Sequence, residues 1–475
     1  MAANGSLGTR QKALALNLDG TTYGTLAEIG GGQEVARWFF AVGGAAGTVA
    51  KTVSAYDMAV SDAHYGAAER YVSRQRLEAM LAHEFAQLRD LLGPARGGAK
   101  RFFAFADTVA TGGHRNPGPG RGWLGVRFQA RPHEEPSEVV VHAHLLDPTP
   151  AGQQEALGVL GVNLIHAAFL RRDLPADLIA ALADDLSRAR VEVDMIKLSG
   201  PAFPAVDNRL LSLQLVGQGL TDAALFTAAG EVVQPSEVLH KRPVLVERCT
   251  FRPVTRLTVD LLDRALDQFL DVPGVRGGRP VVLAEMTLRS IDAQPAVGHA
   301  DFLARADILG ALGFDVLVSR FDPFHELAEY LARSTDASVG IAVVLPALGQ
   351  LVDEASHPAL PGGALESIGW LFRRSVTVYA YPDRDEATGR VQTAADVPVP
   401  APWHHLRDLL LDLGRVVPIR GYDESLLSIT THDVLARLQR GDPSWEGMVP
   451  AAVAATIKAG ALFGWRPARA PAAVA

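Results

Sequence analysis

Two histidines stand two residues apart in the segment EVVVHAHLLD, a spacing that can bring both imidazoles to one metal ion. Because side chains alternate along a strand, His142 and His144 are predicted to share one face, with apolar residues on the other. Such a pair can chelate Zn²⁺ or another transition metal, with Asp147 or a distant carboxylate as a further ligand. A solvated or hydrogen-bonded strand face is the alternative. One hypothesis for the chain is therefore a metal-dependent enzyme that uses His142 and His144.

A second polar group, in SRFDPFHEL, follows an apolar strand predicted at 315–319 and opens a helix. Ligands of open parallel sheets bind beyond the carboxyl ends of the strands, so we expect this turn at such an edge, facing a cleft. Asp322 suits the N-cap of the helix, and Pro323 suits its first turn. Arg320 and His325 have no such local role, and a helix N-terminus beside a cation attracts phosphate. Arg320 and His325 are our candidate catalytic residues, and Asp322 is a candidate cofactor contact.

The N-terminal stretch is rich in glycine and contains GGAAGTVAKT, which begins with Gly43 and Gly44 and ends with Lys51 and Thr52. A phosphate-binding P-loop has a glycine immediately before its lysine and another five residues earlier, but alanines occupy both places here. Two interpretations remain. These four residues could contact a cofactor, or the glycines could allow a helix to pack closely.

The segment VLVSRFDPFHELAEYL resembles the strand–turn–helix of nicotinate mononucleotide adenylyltransferases, in which phenylalanine, aspartate, proline and an HxGH motif follow a strand. The residues Phe321-Asp322-Pro323-Phe324-His325 carry this resemblance. Leu327 stands where the motif has glycine, and Ala328 stands where it has the second histidine. In that family the motif opens the chain. The whole chain also resembles a group of long bacterial proteins associated with this adenylyltransferase.

The resemblance implies adenylyl transfer from ATP to a pyridine mononucleotide, with Mg²⁺ on the phosphates and no covalent intermediate. His325 would donate to a phosphate oxygen, and Arg320 would neutralise charge on the leaving pyrophosphate. The missing second histidine implies slow turnover. The broader expectation is binding or transfer chemistry on a nucleotide or another small phosphorylated metabolite.

Composition narrows the range of partners and compartments. The chain has 475 residues, 48% of them hydrophobic, a net charge of −8 and a single cysteine. This mild acidity argues against a nucleic-acid surface, and the longest apolar run, 156–170, is too short to span a membrane. One cysteine and no secretory signal favour the cytoplasm. A homo-oligomer remains open, as does a non-enzymatic assembly protein that uses the glycine-rich third as an interaction surface.

The last 200 or so residues alternate short apolar strands with amphipathic helices, a pattern typical of a parallel sheet covered on both faces. The predicted fold class is therefore α/β, with a doubly wound, mostly parallel C-terminal sheet preceded by a Gly-rich α+β region. The segments after strands 281–287 and 315–319 are the expected site. The predicted organisation is a Gly-rich α+β region at 1–150, an α/β middle segment at 151–252, a doubly wound Rossmann-like domain at 253–465 and a disordered tail at 466–475.

Overall fold

The computed structural model describes residues 7–113, 118–292, 298–351, 353, 360–385, 387–401 and 403–467. The chain divides into two compact units, Met1–Ala224 and Leu225–Ala475. The sequence-based boundaries at residues 150 and 252 remain predictions, and most of the predicted tail, 468–475, lies outside the described residues. In the described part of the chain, no helix has both the length and the apolar character needed to cross a membrane.

The N-terminal unit is built on a six-stranded sheet. Its strands are β1 (Thr22–Ile29), β2 (Val49–Val53), β3 (Arg101–Ala110), β4 (Gly120–Phe128), β5 (Ser137–Leu145) and β6 (Val191–Ser199). Its helices are α1 (Thr9–Leu18), α2 (Glu34–Ala41), α3 (Met58–Tyr65), α4 (Arg74–Arg96), α5 (Pro150–Leu170), α6 (Pro175–Leu182) and α7 (Asn208–Gly217).

The strand order of this sheet is β2-β1-β3-β4-β5-β6. Strands β2, β1 and β3 run parallel, and β3 to β6 pair antiparallel in succession. Helix α5 is the apolar run of the sequence, and its central residues are buried. Its polar Asn163 accepts a hydrogen bond from the buried Lys12 ammonium at 2.8 Å. The run is therefore a core helix whose Asn163 side chain is paired inside the unit.

The C-terminal unit is built on an eight-stranded sheet and a short two-stranded one. The strands are β7 (Ala223–Phe226), β8 (Val232–Val233), β9 (Val244–Arg248), β10 (Val281–Thr287), β11 (Asp315–Ser319), β12 (Val339–Val344), β13 (Val376–Tyr381), β14 (Asp383–Arg384), β15 (Val391–Gln392) and β16 (Val416–Pro418). The helices are α8 (Pro235–Leu239), α9 (Arg256–Leu270), α10 (Leu288–Asp292), α11 (Gly298–Ala311), α12 (Phe324–Ser334), α13 (Leu345–Gln350), α14 (Gly363–Leu371), α15 (His404–Asp412), α16 (Thr431–Arg440) and α17 (Ala451–Gly460).

Six of these strands form a continuous parallel sheet, ordered β11-β10-β9-β12-β13-β16. Numbered along the chain from β9, this order is 3-2-1-4-5-6, the doubly wound order. The chain therefore leaves β9 in one direction along the sheet and returns to its other side at β12. The predicted fold class, a mostly parallel α/β sheet after a mixed N-terminal region, is confirmed.

Candidate functional site

The carboxyl edge of the C-terminal sheet has its switch point between β9 and β12, which lie side by side although β10 and β11 come between them in the chain. Connections that depart in opposite directions from such a pair leave a crevice, which is where open α/β sheets bind ligands. The sequence predicts a site in the segments that follow β10 and β11. The strand order shows that the loop after β9 lies at the same edge of the sheet.

The turn from Arg320 to His325 lies at the carboxyl edge, because β11 runs parallel to β10. Arg320 and Asp322 are exposed there. Pro323, rather than the expected Asp322, holds the N-cap position of α12. The Asp322 carboxylate instead lies 3.6 Å from the Arg289 guanidinium. The backbone carbonyl oxygen of Asp322 accepts a hydrogen bond from Arg248 at 2.5 Å. Residues that follow three adjacent strands thus meet at this edge.

His325 is buried in the first turn of α12, and its Nδ1 lies 2.9 Å from the Ser367 hydroxyl of α14. The ring therefore has a local structural partner that the sequence did not reveal. It joins the two packed helices α12 and α14, whereas Arg320 is exposed.

A buried network joins the ends of the three strands. Glu285 of β10 is fully buried and accepts two hydrogen bonds from Arg248, at 2.8 and 3.0 Å. Ser319 of β11 donates a third at 2.5 Å. Both carboxylate oxygens are used, so the network neutralises Arg248 and fixes the ends of β9, β10 and β11 relative to one another.

The loop after β9 is held by a second buried charge group. The Asp301 carboxylate of α11 accepts a hydrogen bond from Arg252 at 2.8 Å and pairs with Arg305. Arg305 also donates to the Thr250 carbonyl at 3.3 Å. All three charged side chains are buried, so this group ties the switch-point loop to α11.

Glu247, the next-to-last residue of β9, carries a buried carboxyl at the switch point. Its Oε2 has no hydrogen-bond partner among the described residues, and burial raises the pKa of this carboxyl to about 8. Cys249, two residues later, is half-buried, and desolvation together with Glu247 raises the pKa of its thiol to about 11. At neutral pH both groups hold their protons, so the carboxyl end of β9 carries two neutral polar groups beside the charged Arg248.

In nicotinate mononucleotide adenylyltransferases the motif opens the chain, so the segment after β9, the first strand of the parallel sheet, can also be compared with it. After β9, Phe251 and Pro253 have the spacing of the motif's phenylalanine and proline. Thr255 and Thr258 then stand at the two histidine positions. Thr255 is the N-cap of α9 and accepts a hydrogen bond from the Thr258 amide. Placing the strands in sheet order, rather than scanning for histidines, would have identified this segment.

In the N-terminal unit, β5 brings together the two predicted metal-ligating histidines, as strand alternation requires. Nδ1 of His142 lies 2.6 Å from Oδ1 of Asp194, and Nε2 of His144 lies 3.0 Å from Oδ2 of the same carboxylate. Trp123 of β4 packs edge-on against His142, with 4.9 Å between ring centroids. Asp147 is not part of this cluster, because its carboxylate pairs with Arg190 at 2.8 Å.

A β-bulge brings Asp194 to the histidines. His142 lies opposite Met195 and Ala143 lies opposite Val193, so Asp194 is the extra residue of β6. Bulges re-aim side chains in this way. A strand pattern alone does not reveal a bulge, and the sequence therefore suggested Asp147, which is nearer in the chain.

The contacts among His142, His144 and Asp194 shift the pKa values of Asp194 and His144 in opposite directions. Burial alone would raise the pKa of Asp194, but the charges and hydrogen bonds of the two imidazoles hold it well below its usual range. Burial disfavours the charged form of His144, yet Asp194 and Glu192 raise the pKa of this imidazole above its ordinary value. An ionised carboxylate only accepts hydrogen bonds, so both facing ring nitrogens carry protons.

The glycine-rich segment forms no P-loop. Lys51 and Thr52 lie within β2, whereas a P-loop lysine begins a helix, and Lys51 pairs with Glu84 at 2.7 Å. Gly43 and Gly44 have positive φ angles in the turn after α2. Within this segment, the four candidate residues therefore fall in two separate structural settings, a turn and a strand.

Gly30, directly after β1, packs closely against the backbone of β3, and its substitution tests that contact. Gly30 has a φ of +95°, and a Cβ there would lie 1.9 Å from the Val109 carbonyl oxygen. We expect Gly30→Ala to destabilise the N-terminal unit by more than about 2 kcal/mol, because steric overlap adds to left-handed strain. Gly43→Ala, with φ +82° and open space, should show the strain alone. Hydrogen exchange of β1 peptides measures both, and equal effects would contradict the packing account.

No protein-family model and no curated protein sequence matches the chain. Similar solved structures include the competence/damage-inducible protein CihA from Agrobacterium tumefaciens, with 19% identity over 34% of this chain and 98% of that chain and a TM-score of 0.25. Another is a competence-damaged protein (CinA) superfamily protein from Enterobacter cloacae, with 14% identity, 35% and 96% coverage and a TM-score of 0.25. A third is nicotinic acid mononucleotide adenylyltransferase from Plasmodium falciparum, with 8% identity, 47% and 98% coverage and a TM-score of 0.30. These partial resemblances assign no activity to the chain.

Proposed function

We propose that the C-terminal unit binds a nucleotide or another small phosphorylated metabolite at the carboxyl edge of its parallel sheet. The observation that carries this proposal is the 3-2-1-4-5-6 strand order, which leaves a crevice beside β9. Arginines follow the three adjacent strands on one side of that crevice. They are Arg248 at the end of β9, Arg289 after β10 and Arg320 after β11.

Arg289 and Arg320 are the cations best suited to a phosphate. Arg248 is neutralised by Glu285, whereas Arg289 is 81% exposed and, within the part of the chain that the structure describes, pairs only with the Asp322 carboxylate at 3.6 Å. The first turn of α12 adjoins Arg320, and its N-cap Pro323 has no side chain that can accept a hydrogen bond. Amides at such a helix start favour an anion. Phosphate oxygens would thus meet two guanidiniums and a helix N-terminus.

The finer proposal is adenylyl transfer from ATP to a pyridine mononucleotide with Mg²⁺. Threonines stand at both histidine positions after β9, and after β11 only His325 is present. His325 is buried against Ser367, so we assign it the positioning of α12, and we assign Arg320 the contact with phosphate. We expect slow formation of dinucleotide and pyrophosphate, because histidine donors to the transferred phosphate are missing. A coupled pyrophosphate assay measures it, and nucleotide binding without turnover would leave binding as the function.

Calorimetry with ATP and with nicotinate mononucleotide tests the binding proposal. The double substitution Arg289→Gln and Arg320→Gln should weaken binding about a hundredfold or more, since each charge-assisted contact contributes about 1.5–3 kcal/mol. Arg279→Gln is the matched control, because Arg279 is also exposed but precedes β10 at the opposite edge. Equal loss in both variants, or tight binding retained by the double variant, would contradict the proposed site.

A further inference from the structure

We propose that the N-terminal unit binds one divalent transition-metal ion through His142 Nδ1, His144 Nε2 and an oxygen of Asp194. One ligand atom from each residue lies within 4.8 Å of the others. Two imidazoles and one carboxylate form a ligand set used for zinc and for non-haem iron, with positions left for water. This site is separate from the proposed phosphate site and does not depend on it.

The charge of the site suits a cation. Asp194 is only 5% exposed, and a buried carboxylate needs a compensating positive charge. In this structure the facing ring N–H groups of His142 and His144 donate hydrogen bonds to it instead. When a metal ion binds, each of these protons leaves to solvent or moves to the other nitrogen of its ring, and the ion takes its place. Of the charged residues paired with His144, Glu192 favours the cation and Arg121 opposes it.

Metal binding requires the three side chains to rearrange. Ligand atoms about 2.0–2.2 Å from a tetrahedral zinc ion lie about 3.3–3.6 Å apart. Nδ1 of His142 lies 2.6 Å from Oδ1 of Asp194 and Nε2 of His144 lies 3.0 Å from Oδ2, so each imidazole and its carboxylate oxygen must separate by a few tenths of an ångström to about 1 Å. His142 is buried, but the His144 side chain is 29% exposed and marks the side from which an ion and its water ligands can enter.

The ligand types also define the class of metal. Imidazole nitrogen suits Zn²⁺, Co²⁺, Ni²⁺ and Fe²⁺, whereas Mg²⁺ and Ca²⁺ require mostly oxygen ligands. We therefore expect the chelator-treated full chain to bind one equivalent of Co²⁺ or Zn²⁺ in calorimetry. The Co²⁺ form should show visible absorption bands of low coordination number, and Mg²⁺ should not compete. Absence of saturable Co²⁺ and Zn²⁺ binding would overturn the proposal.

Two substitutions locate the bound ion. His144→Ala removes a partly exposed ligand and should weaken Co²⁺ binding at least about a hundredfold, more than loss of a residue that only orients a ligand. Asp194→Asn should abolish the visible bands while circular dichroism confirms folding. The control is His64→Ala. The exposed ring of His64, on α3, lies 6.4 Å from that of His83, and this pair could hold an adventitious ion. Binding lost in His64→Ala but retained in His144→Ala would overturn the proposal.

Discussion

We expect Asp301→Ala to lower the free energy of unfolding of the C-terminal unit by about 3–5 kcal/mol. The substitution removes the carboxylate that lies between the buried Arg252 and Arg305, and an unpaired buried charge is far more costly than a lost surface pair. It also leaves Arg305, which donates to the Thr250 carbonyl, without its carboxylate partner, so the attachment of the loop after β9 to α11 weakens. Nucleotide binding should weaken together with stability. Chemical denaturation monitored by hydrogen exchange of C-terminal peptides measures the change.

Asp307→Ala is the matched control, since Asp307 is exposed on the same helix. Its effect should stay within about 0.5 kcal/mol. A combined replacement of Arg252 and Arg305 by methionine and of Asp301 by leucine should cost less than Asp301→Ala alone, because no charge is then left without a partner. If the triple variant were the less stable of the two, the account of this buried group would be incorrect.

We expect the N-terminal unit to lose stability through a buried acid pair as pH rises. Glu28 of β1 and Asp107 of β3 lie opposite each other, and both are buried. Burial raises the pKa of Glu28 to about 7, although the amides of Val35 and Ala36 donate to its carboxylate. Burial and the charge of Glu28 also raise the pKa of Asp107.

The sign of the effect follows from linkage. A carboxyl whose pKa is higher in the folded chain stabilises fully below its unfolded pKa of about 4.5, and this stability is lost as pH rises through about 7. The expected loss is about 3 kcal/mol between pH 4.5 and 8. Asp107→Asn removes the carboxyl group whose negative charge would oppose ionisation of Glu28. The variant should therefore gain stability relative to the natural chain, and the gain should grow as pH rises.

The test compares the free energy of unfolding of the variant with that of the natural chain at each pH, because other groups also titrate between pH 4.5 and 8. Burial lowers the pKa of His166 to about 4, which makes stability increase between about pH 4 and 6.5. Asp90→Asn, at a side chain that is 72% exposed, serves as the control and should give a difference that does not change with pH. A difference for Asp107→Asn that is also flat would show that the acid pair does not titrate as described.

Much of the parallel sheet could be predicted from local patterns. Strands 281–287 and 315–319 have the predicted bounds, because short apolar runs between amphipathic helices are typical of strands buried on both faces. Strand β9 falls within the predicted middle segment, 151–252, apart from the sheet in which it is the first parallel strand. Pairing of β9 with β12 joins residues about a hundred positions apart, and no local pattern specifies such a contact.

The site residues, like the strands, could be predicted where a local pattern specifies them and not where a distant contact does. Alternation along β5 correctly placed His142 and His144 on one face. Their partner Asp194 depends on a bulge in β6 and on pairing with a distant strand, so Asp147 was the nearer choice. The role of His325 depends on α14, which follows it by about forty residues and supplies Ser367. Local chemistry identified the reactive side chains, and tertiary packing determined their partners.

A crystal structure of the chain grown with ATP or nicotinate mononucleotide is the most direct test of the proposed function. We expect the phosphate at the carboxyl edge of the C-terminal sheet, within hydrogen-bond distance of Arg289, Arg320 or the first amides of α12, with the remainder of the ligand extending toward the loop after β9. Phosphate density in the glycine-rich part of the N-terminal unit, or no bound nucleotide at millimolar concentration, would contradict it.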